Sequence, residues 1–92
     1  MIAQRSTVPK LALGQIIAGS EVEEKLQLQD ILTALSRHLV GDWGELETDS
    51  QEANQWALIS DEPVLSFHRS HDGVKFYILT DAKREKTTIL LA

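Results

Sequence analysis

"VLSFHRSHDGVKFYILT", residues 64–80, decides the fold class. Two runs rich in β-branched and aromatic residues, "VLSFHR" and "VKFYILT", flank the polar tetrapeptide "SHDG". Gly73 can take the positive φ of a tight hairpin, so the stretch reads as two antiparallel strands. The second strand is apolar on both faces around "FYIL", which places it centrally in a sheet with more than water on its second face. After the polar turn "DAKRE", residues 81–85, the run "KTTILLA" supplies a third strand. An exposed apolar edge at Ile89, Leu90 and Leu91 would invite aggregation. Either the N-terminal strand or a second subunit, making a homodimer, is therefore expected to cover it.

Upstream of this meander the pattern changes to helical periodicity. Leu28, Ile31, Leu32, Leu35 and Leu39 recur at helical spacing over residues 29–39, and Gly41 stands where a left-handed residue ends a helix. "GSEVEEKL" opens a brief earlier helix, with Ser20 as the expected N-cap and Glu23 completing a capping box. A third helix is expected from about Ser50 to Leu58, capped by Thr48 with Gln51 or by Asp49 with Glu52. Ala53, Trp56 and Ala57 would form its inner face, and Pro63 breaks the pattern. "KLALGQII" suits a short N-terminal strand anchored by Leu11, Leu13 and Ile16, with Gly14 weakening it or marking a bulge. The expected architecture is α+β: three short helices on an antiparallel three-stranded meander, with the N-terminal strand as its extension. Residues 1–9 read as a flexible arm before a single domain over residues 10–92.

Composition bounds the function classes. Ninety-two residues make one domain, and a chain this short buries only about 60–65% of the surface its unfolded form exposes. An apolar fraction of 42% with 25% charge is globular composition. With no cysteine, disulfides and thiolate zinc sites are excluded, which fits a reducing compartment. "LALGQIIAG" is short, broken by Gly14 and Gln15, and lacks an A-x-A-like cleavage site, so it does not read as a signal peptide. Nothing approaches the roughly 20 apolar residues of a membrane span.

The net charge of −5 comes from the middle of the chain. No Lys or Arg occurs from His38 to His68, an interval holding Asp42, Glu45, Glu47, Asp49, Glu52, Asp61 and Glu62. Phosphate binding needs a basic face, so direct nucleic-acid binding is not expected. The segment instead suits docking of a basic protein through Glu45, Glu47, Asp49, Glu52, Asp61 and Glu62; the plainer account is a solvated face with helix-capping acids.

"RHLVGDWGEL", residues 37–46, groups a histidine, acids and a tryptophan around two glycines. As structure, it is a helix stop: His38 in the last turn where a cation meets the dipole, Gly41 ending the helix, Trp43 folding back as an anchor and Asp42 accepting backbone hydrogen bonds. As a site, His38, Asp42 and Trp43 would line a small-ligand pocket. Asp42 and Glu45 have the spacing of a carboxylate acid/base pair, but nothing nearby raises one pKa. In "HRSHD", residues 68–72, His68, His71 and Asp72 invite a metal reading, yet a strand entering a turn does not guarantee one-sided display. No serine lies in a G-x-S-x-G elbow, and the acids lack the D-x-[DN]-x-[DN]-G calcium loop. No cofactor or metal is expected, and no catalytic constellation emerges.

"RHLVGDWG", "NQWAL" and "TDAKREKTTILL" together resemble a family of short, uncharacterised bacterial proteins of plasmids and integrated elements, often labelled plasmid-related or type I restriction endonuclease subunit M. The shared pattern falls on Arg37, His38, Gly41, Asp42, Trp43, Gly44, Asn54, Ala57, Leu58, Thr80, Ala82, Arg84, Thr87, Thr88, Leu90 and Leu91, and covers about residues 34–91. The methyltransferase label conflicts with the chain itself, which has no room for a cofactor-binding α/β domain and no N-P-P-[YF]-like loop. The resemblance implies a bacterial cytoplasm and mobile DNA, but no catalytic residues. The expected function is a small acidic non-enzymatic interaction protein of a mobile element that modulates a host or competitor protein handling nucleic acid or defence. The alternative is a small-ligand or metal-binding domain, or an enzyme, centred on His38, Asp42 and Trp43.

Overall fold

The computed structural model describes residues 8–92. The expected arm falls largely on residues 1–7, which lie outside the described residues; Val8 and Pro9 are exposed. Strand β1 (Gln15–Ala18) leads into helices α1 (Ser20–Lys25), α2 (Leu28–Leu39) and α3 (Thr48–Ser60), then strands β2 (Val64–Arg69), β3 (Lys75–Thr80) and β4 (Lys86–Leu91). The α+β class holds, but the sheet is mixed and four-stranded, in the order β1-β4-β3-β2. β2, β3 and β4 form the antiparallel meander, while β1 joins β4 in parallel, pairing Ile16 with Thr87 and Ala18 with Ile89. The N-terminal strand is thus what covers the apolar last strand.

Alternation along the strands sets the layers. Val64, Ser66 and His68 of β2, Phe76, Ile78 and Thr80 of β3, and Thr87 and Ile89 of β4 are all buried. Register aligns them in rows, Val64–Thr80–Thr87 and Ser66–Ile78–Ile89. α1 packs over β4, α2 over β3 and α3 beside β2. One apolar cluster joins Val22 and Leu26 with Ile31, Ala34 and Leu35 of α2 to Phe76, Ile78 and Ile89. A second joins Leu11, Trp43, Ala57 and Val64.

Local expectations fail where tertiary contacts outweigh local signals. Gly19, not Ser20, caps α1, and no side chain bonds to its amides. Glu47 occupies the N-cap of α3, again without a side-chain bond, so neither Thr48 nor Asp49 plays that part. Leu28 and Leu32 of α2 are exposed, and so is Ile16. In α3 the inner face is Asn54 and Ala57, whereas Trp56 and Ile59 stand 70% and 77% exposed. The apolar residues of α3 thus lie on opposite sides, and spacing alone offers no preferred face. Its end is set by Asp61 in the left-handed conformation, where a glycine would be the usual choice.

Asn54 explains the choice of face. Its amide donates to the Leu65 carbonyl (2.7 Å) and its carbonyl accepts from the Leu65 N–H (3.2 Å). One side chain thereby satisfies both backbone groups on the free edge of β2, as a neighbouring strand would.

Candidate functional site

Asp42–Leu46 runs along the same edge. The Phe67 N–H donates to the Trp43 carbonyl (3.1 Å) and the Glu45 N–H to the Phe67 carbonyl (2.7 Å). Gly44 sits between them at φ +69°, and a Cβ there would lie 2.2 Å from the Phe67 oxygen. Backbone apposition therefore requires glycine. Asp42 accepts from the Gly44 N–H (3.1 Å) and from Arg37 through two nitrogens, Nε at 2.8 Å and Nη2 at 3.2 Å. That guanidinium hydrogen bond holds the Asp42 carboxyl below its usual range. Trp43 is buried, and its ring meets His38 edge-on at 5.6 Å. Of the three candidate pocket residues, His38 and Trp43 are together inside the protein and Asp42 is on the surface with Arg37.

His38 is not the helix-terminal cation that its position suggests. It is fully buried at the centre of a polar seam. Leu13 contributes a carbonyl, which can only accept, so the Thr87 hydroxyl donates to it (2.7 Å). Thr80 must then donate to Thr87 (2.7 Å), His38 Nε2–H to Thr80 (2.9 Å), and the Ser66 hydroxyl to His38 Nδ1 (2.6 Å). His68 Nε2–H completes the chain by donating to Ser66 (2.8 Å). With both imidazoles kept neutral by burial, this single carbonyl fixes the direction of every hydrogen bond and puts the proton of each ring on Nε2. Burial, and for His38 the neighbouring His68 and Arg84, depresses both pKa values to about 4. His68 also faces Arg37, which lowers its pKa, and Asp42 and Glu45, which oppose that. Ser66 lies between two histidines but is 0% exposed, so no substrate reaches its hydroxyl in this conformation. His68 Nδ1 and Trp43 Nε1 are buried without hydrogen-bond partners.

The "HRSHD" residues part company. His68 points into the seam, while His71 and Asp72 lie exposed at the hairpin and meet Asp30 from α2. Asp30 accepts from both the His71 backbone N–H (3.1 Å) and Nδ1 (2.7 Å), and this bond raises the His71 pKa. Asp30, His71 and Asp72 present ligand-type atoms within 4.8 Å of one another. The geometry is that of a clip fastening the hairpin to α2, with the histidine nitrogen already committed to Asp30. Asp30, 41 residues away in sequence, could not have been paired with His71 from local spacing.

The acidic residues are distributed along and beside α3, a helix about 20 Å long. Glu47 and Asp49 stand at its start, Glu52 on its outer side, and Asp61 and Glu62 at its end, all exposed. Glu45 pairs with Arg69 at 3.0 Å, and Asp42 with Arg37 at 2.8 Å. The other five make no ion pair among the described residues. Arg84, itself at φ +59°, turns inward to donate to the carbonyls of Ala57 (3.0 Å), Glu62 (2.6 Å) and Asp81 (2.9 Å). It closes the end of α3 through its carbonyls and leaves the carboxylates outside. A groove of about 350 Å³ beside the start of α3 is lined by Glu45, Leu46, Glu47 and Ser50 with Leu65, Phe67 and Tyr77.

These features define a small α+β domain with a sealed polar interior and an uncompensated acidic helix. Comparison with protein-family models, curated proteins and solved structures gives no match. Among the described residues, no helix is long and apolar enough to cross a membrane.

Proposed function

We propose that this protein works by binding a basic protein partner through the acidic surface of α3 and its flanks, rather than by catalysis. The observation that carries the reading is the set of five exposed carboxylates, Glu47, Asp49, Glu52, Asp61 and Glu62, that make no ion pair among the described residues. Unneutralised charges of one sign raise the encounter rate with an opposite surface and repel nucleic acid. The most suggestive histidine–serine arrangement is sealed and serves the interior, which leaves the surface as the working part. The sequence resemblance adds a setting: a cytoplasmic protein of a bacterial mobile element, acting on a host or competitor protein that handles nucleic acid or defence.

Affinity capture from bacterial lysate with the intact chain, and in parallel with Glu47→Lys/Glu52→Lys, tests the reading. Both positions are exposed, so the fold is expected to survive. A partner held by the intact chain, released by salt and lost with the double reversal supports it. A partner retained equally by both forms across salt concentrations would show that the acids are merely solvated.

A further inference from the structure

The outward side of α3 carries an apolar pair that the fold does not use. Trp56 is 70% exposed and Ile59 77%, and with Glu52 and Gln55 they line a shallow groove of about 290 Å³. Positions 49, 52, 56 and 59 fall on one stripe of a helix. Asp49 and Glu52 therefore lead directly into the apolar pair. The opposite side of α3 is committed to β2 through Asn54 and Ala57, so the helix cannot roll to bury Trp56 without giving up the Leu65 hydrogen bonds.

We propose that this stripe docks a basic amphipathic segment of a partner protein, with an apolar side chain seated between Trp56 and Ile59 and lysine or arginine reaching Asp49 and Glu52. The proposal deepens the acidic-surface reading and rests on it. Charge selects the occupant. α3 carries no Lys or Arg, and no cation occurs from His38 to His68. A second copy meeting this face would bring the same acids and no lysine or arginine from α3, and an anionic lipid surface would be repelled. The groove is too open to enclose a small molecule but suits one or two side chains of a larger surface. An exposed tryptophan beside an aliphatic residue is the kind of anchor that dominates binding energy at protein interfaces.

The probe is a synthetic leucine–lysine peptide with helical amphipathic spacing, titrated into the isotopically labelled full chain. Two control peptides replace every lysine by glutamate or every leucine by serine. Resonance shifts are expected to centre on Glu52–Ile59 and the Trp56 indole N–H, with both controls binding about tenfold or more weakly. Trp56→Ala and Ile59→Ser are each expected to weaken binding of the leucine–lysine peptide by about tenfold. Both sites are exposed, so each variant should keep the parent's denaturation midpoint. Absence of binding at millimolar peptide, or shifts centred elsewhere, would overturn the proposal. Binding that ignores Trp56→Ala and Ile59→Ser but is lost with Glu47→Lys/Glu52→Lys would remove the anchor and leave the acidic reading standing. Concentration-dependent dimerisation abolished by Trp56→Ala would assign the face to a second copy. A Trp56 response to phosphatidylcholine vesicles but not to peptide would assign it to lipid. Either result overturns the proposal.

Discussion

At the scale of single residues, the histidine pair His38 and His68 makes stability pH-dependent. Their folded pKa values of about 4 lie below the ordinary histidine value of 6.5. Between those limits the unfolded chain binds more protons than the folded one, so stability is complete above about pH 6.5 and declines as the pH falls toward 4. The slope is expected to reach about 1.4 kcal/mol per pH unit for each histidine. His71 acts in the opposite sense: its raised pKa favours the folded state at low pH and that gain is lost as the pH rises. Being exposed, it contributes weakly against the buried pair. Urea midpoints measured from pH 7 to pH 4.5 should therefore fall, and midpoints that stay flat or rise would contradict the neutral seam. Trp43→Ala should cost about 3–5 kcal/mol, because it empties the second cluster and exposes His38. Gly44→Ala should cost more than roughly 1 kcal/mol, since φ +69° and a carbonyl 2.2 Å from the new Cβ leave it no room. Retention of the parent melting temperature by either variant would refute that packing.

At the scale of elements, the two outer strands of the antiparallel meander, β2 and β4, are covered differently. β2 relies on Asn54 and on the Trp43–Glu45 backbone. Asn54→Ala strips the partners from both groups of Leu65 and should cost about 1–3 kcal/mol. Asn54→Asp should be no better, because a carboxylate facing the Leu65 carbonyl cannot donate to it. Hydrogen exchange at the Leu65 amide reads this locally: faster exchange is expected with Asn54→Ala, which removes the acceptor, and unchanged protection in that variant would mean that Asn54 is not its acceptor. β4 lies between β1 and β3, and its inward Ile89 belongs to the main core. Removing residues 89–92 should therefore abolish cooperative folding, and a truncated chain with a sharp thermal transition would place β4 wrongly.

For the whole molecule, charge and apolar surface divide the labour. Asp42 and Glu45 are neutralised by the arginines that border the cation-free interval, Arg37 and Arg69. That leaves a local negative field centred on α3. Any association steered by that field should slow as ionic strength rises, because exposed charges are screened within about 8 Å at physiological salt. The Trp56–Ile59 contribution should be insensitive to salt, since apolar burial carries no charge term. Stopped-flow association rates across a salt series, with the intact chain and with Trp56→Ala, would separate the two: salt should act on the association rate, and the alanine variant mainly on dissociation. A partner whose association rate ignores salt would contradict electrostatic steering.

The hairpin was set by local chemistry: alternation in "VLSFHR" and "VKFYILT" with Gly73 at the turn needs no distant contact to be read, and Gly73 indeed adopts φ +90°. The period of α2 and the concentration of acids between His38 and His68 are likewise properties of neighbouring residues. The parallel pairing of β1 on β4 was decided by tertiary structure, because β1 is four residues long and its partner lies some seventy positions away. The face that α3 buries was decided the same way: its apolar residues lie on both sides, so the expectation of Trp56 inside had no support from spacing, and Asn54 completes the β2 edge and turns Trp56 outward. His38 shows the limit most plainly. At the end of an isolated helix it would be a solvated cation favoured by the dipole. Placed against Ser66, Thr80 and Trp43 it loses its water, and only a neutral imidazole that donates once and accepts once fits the seam.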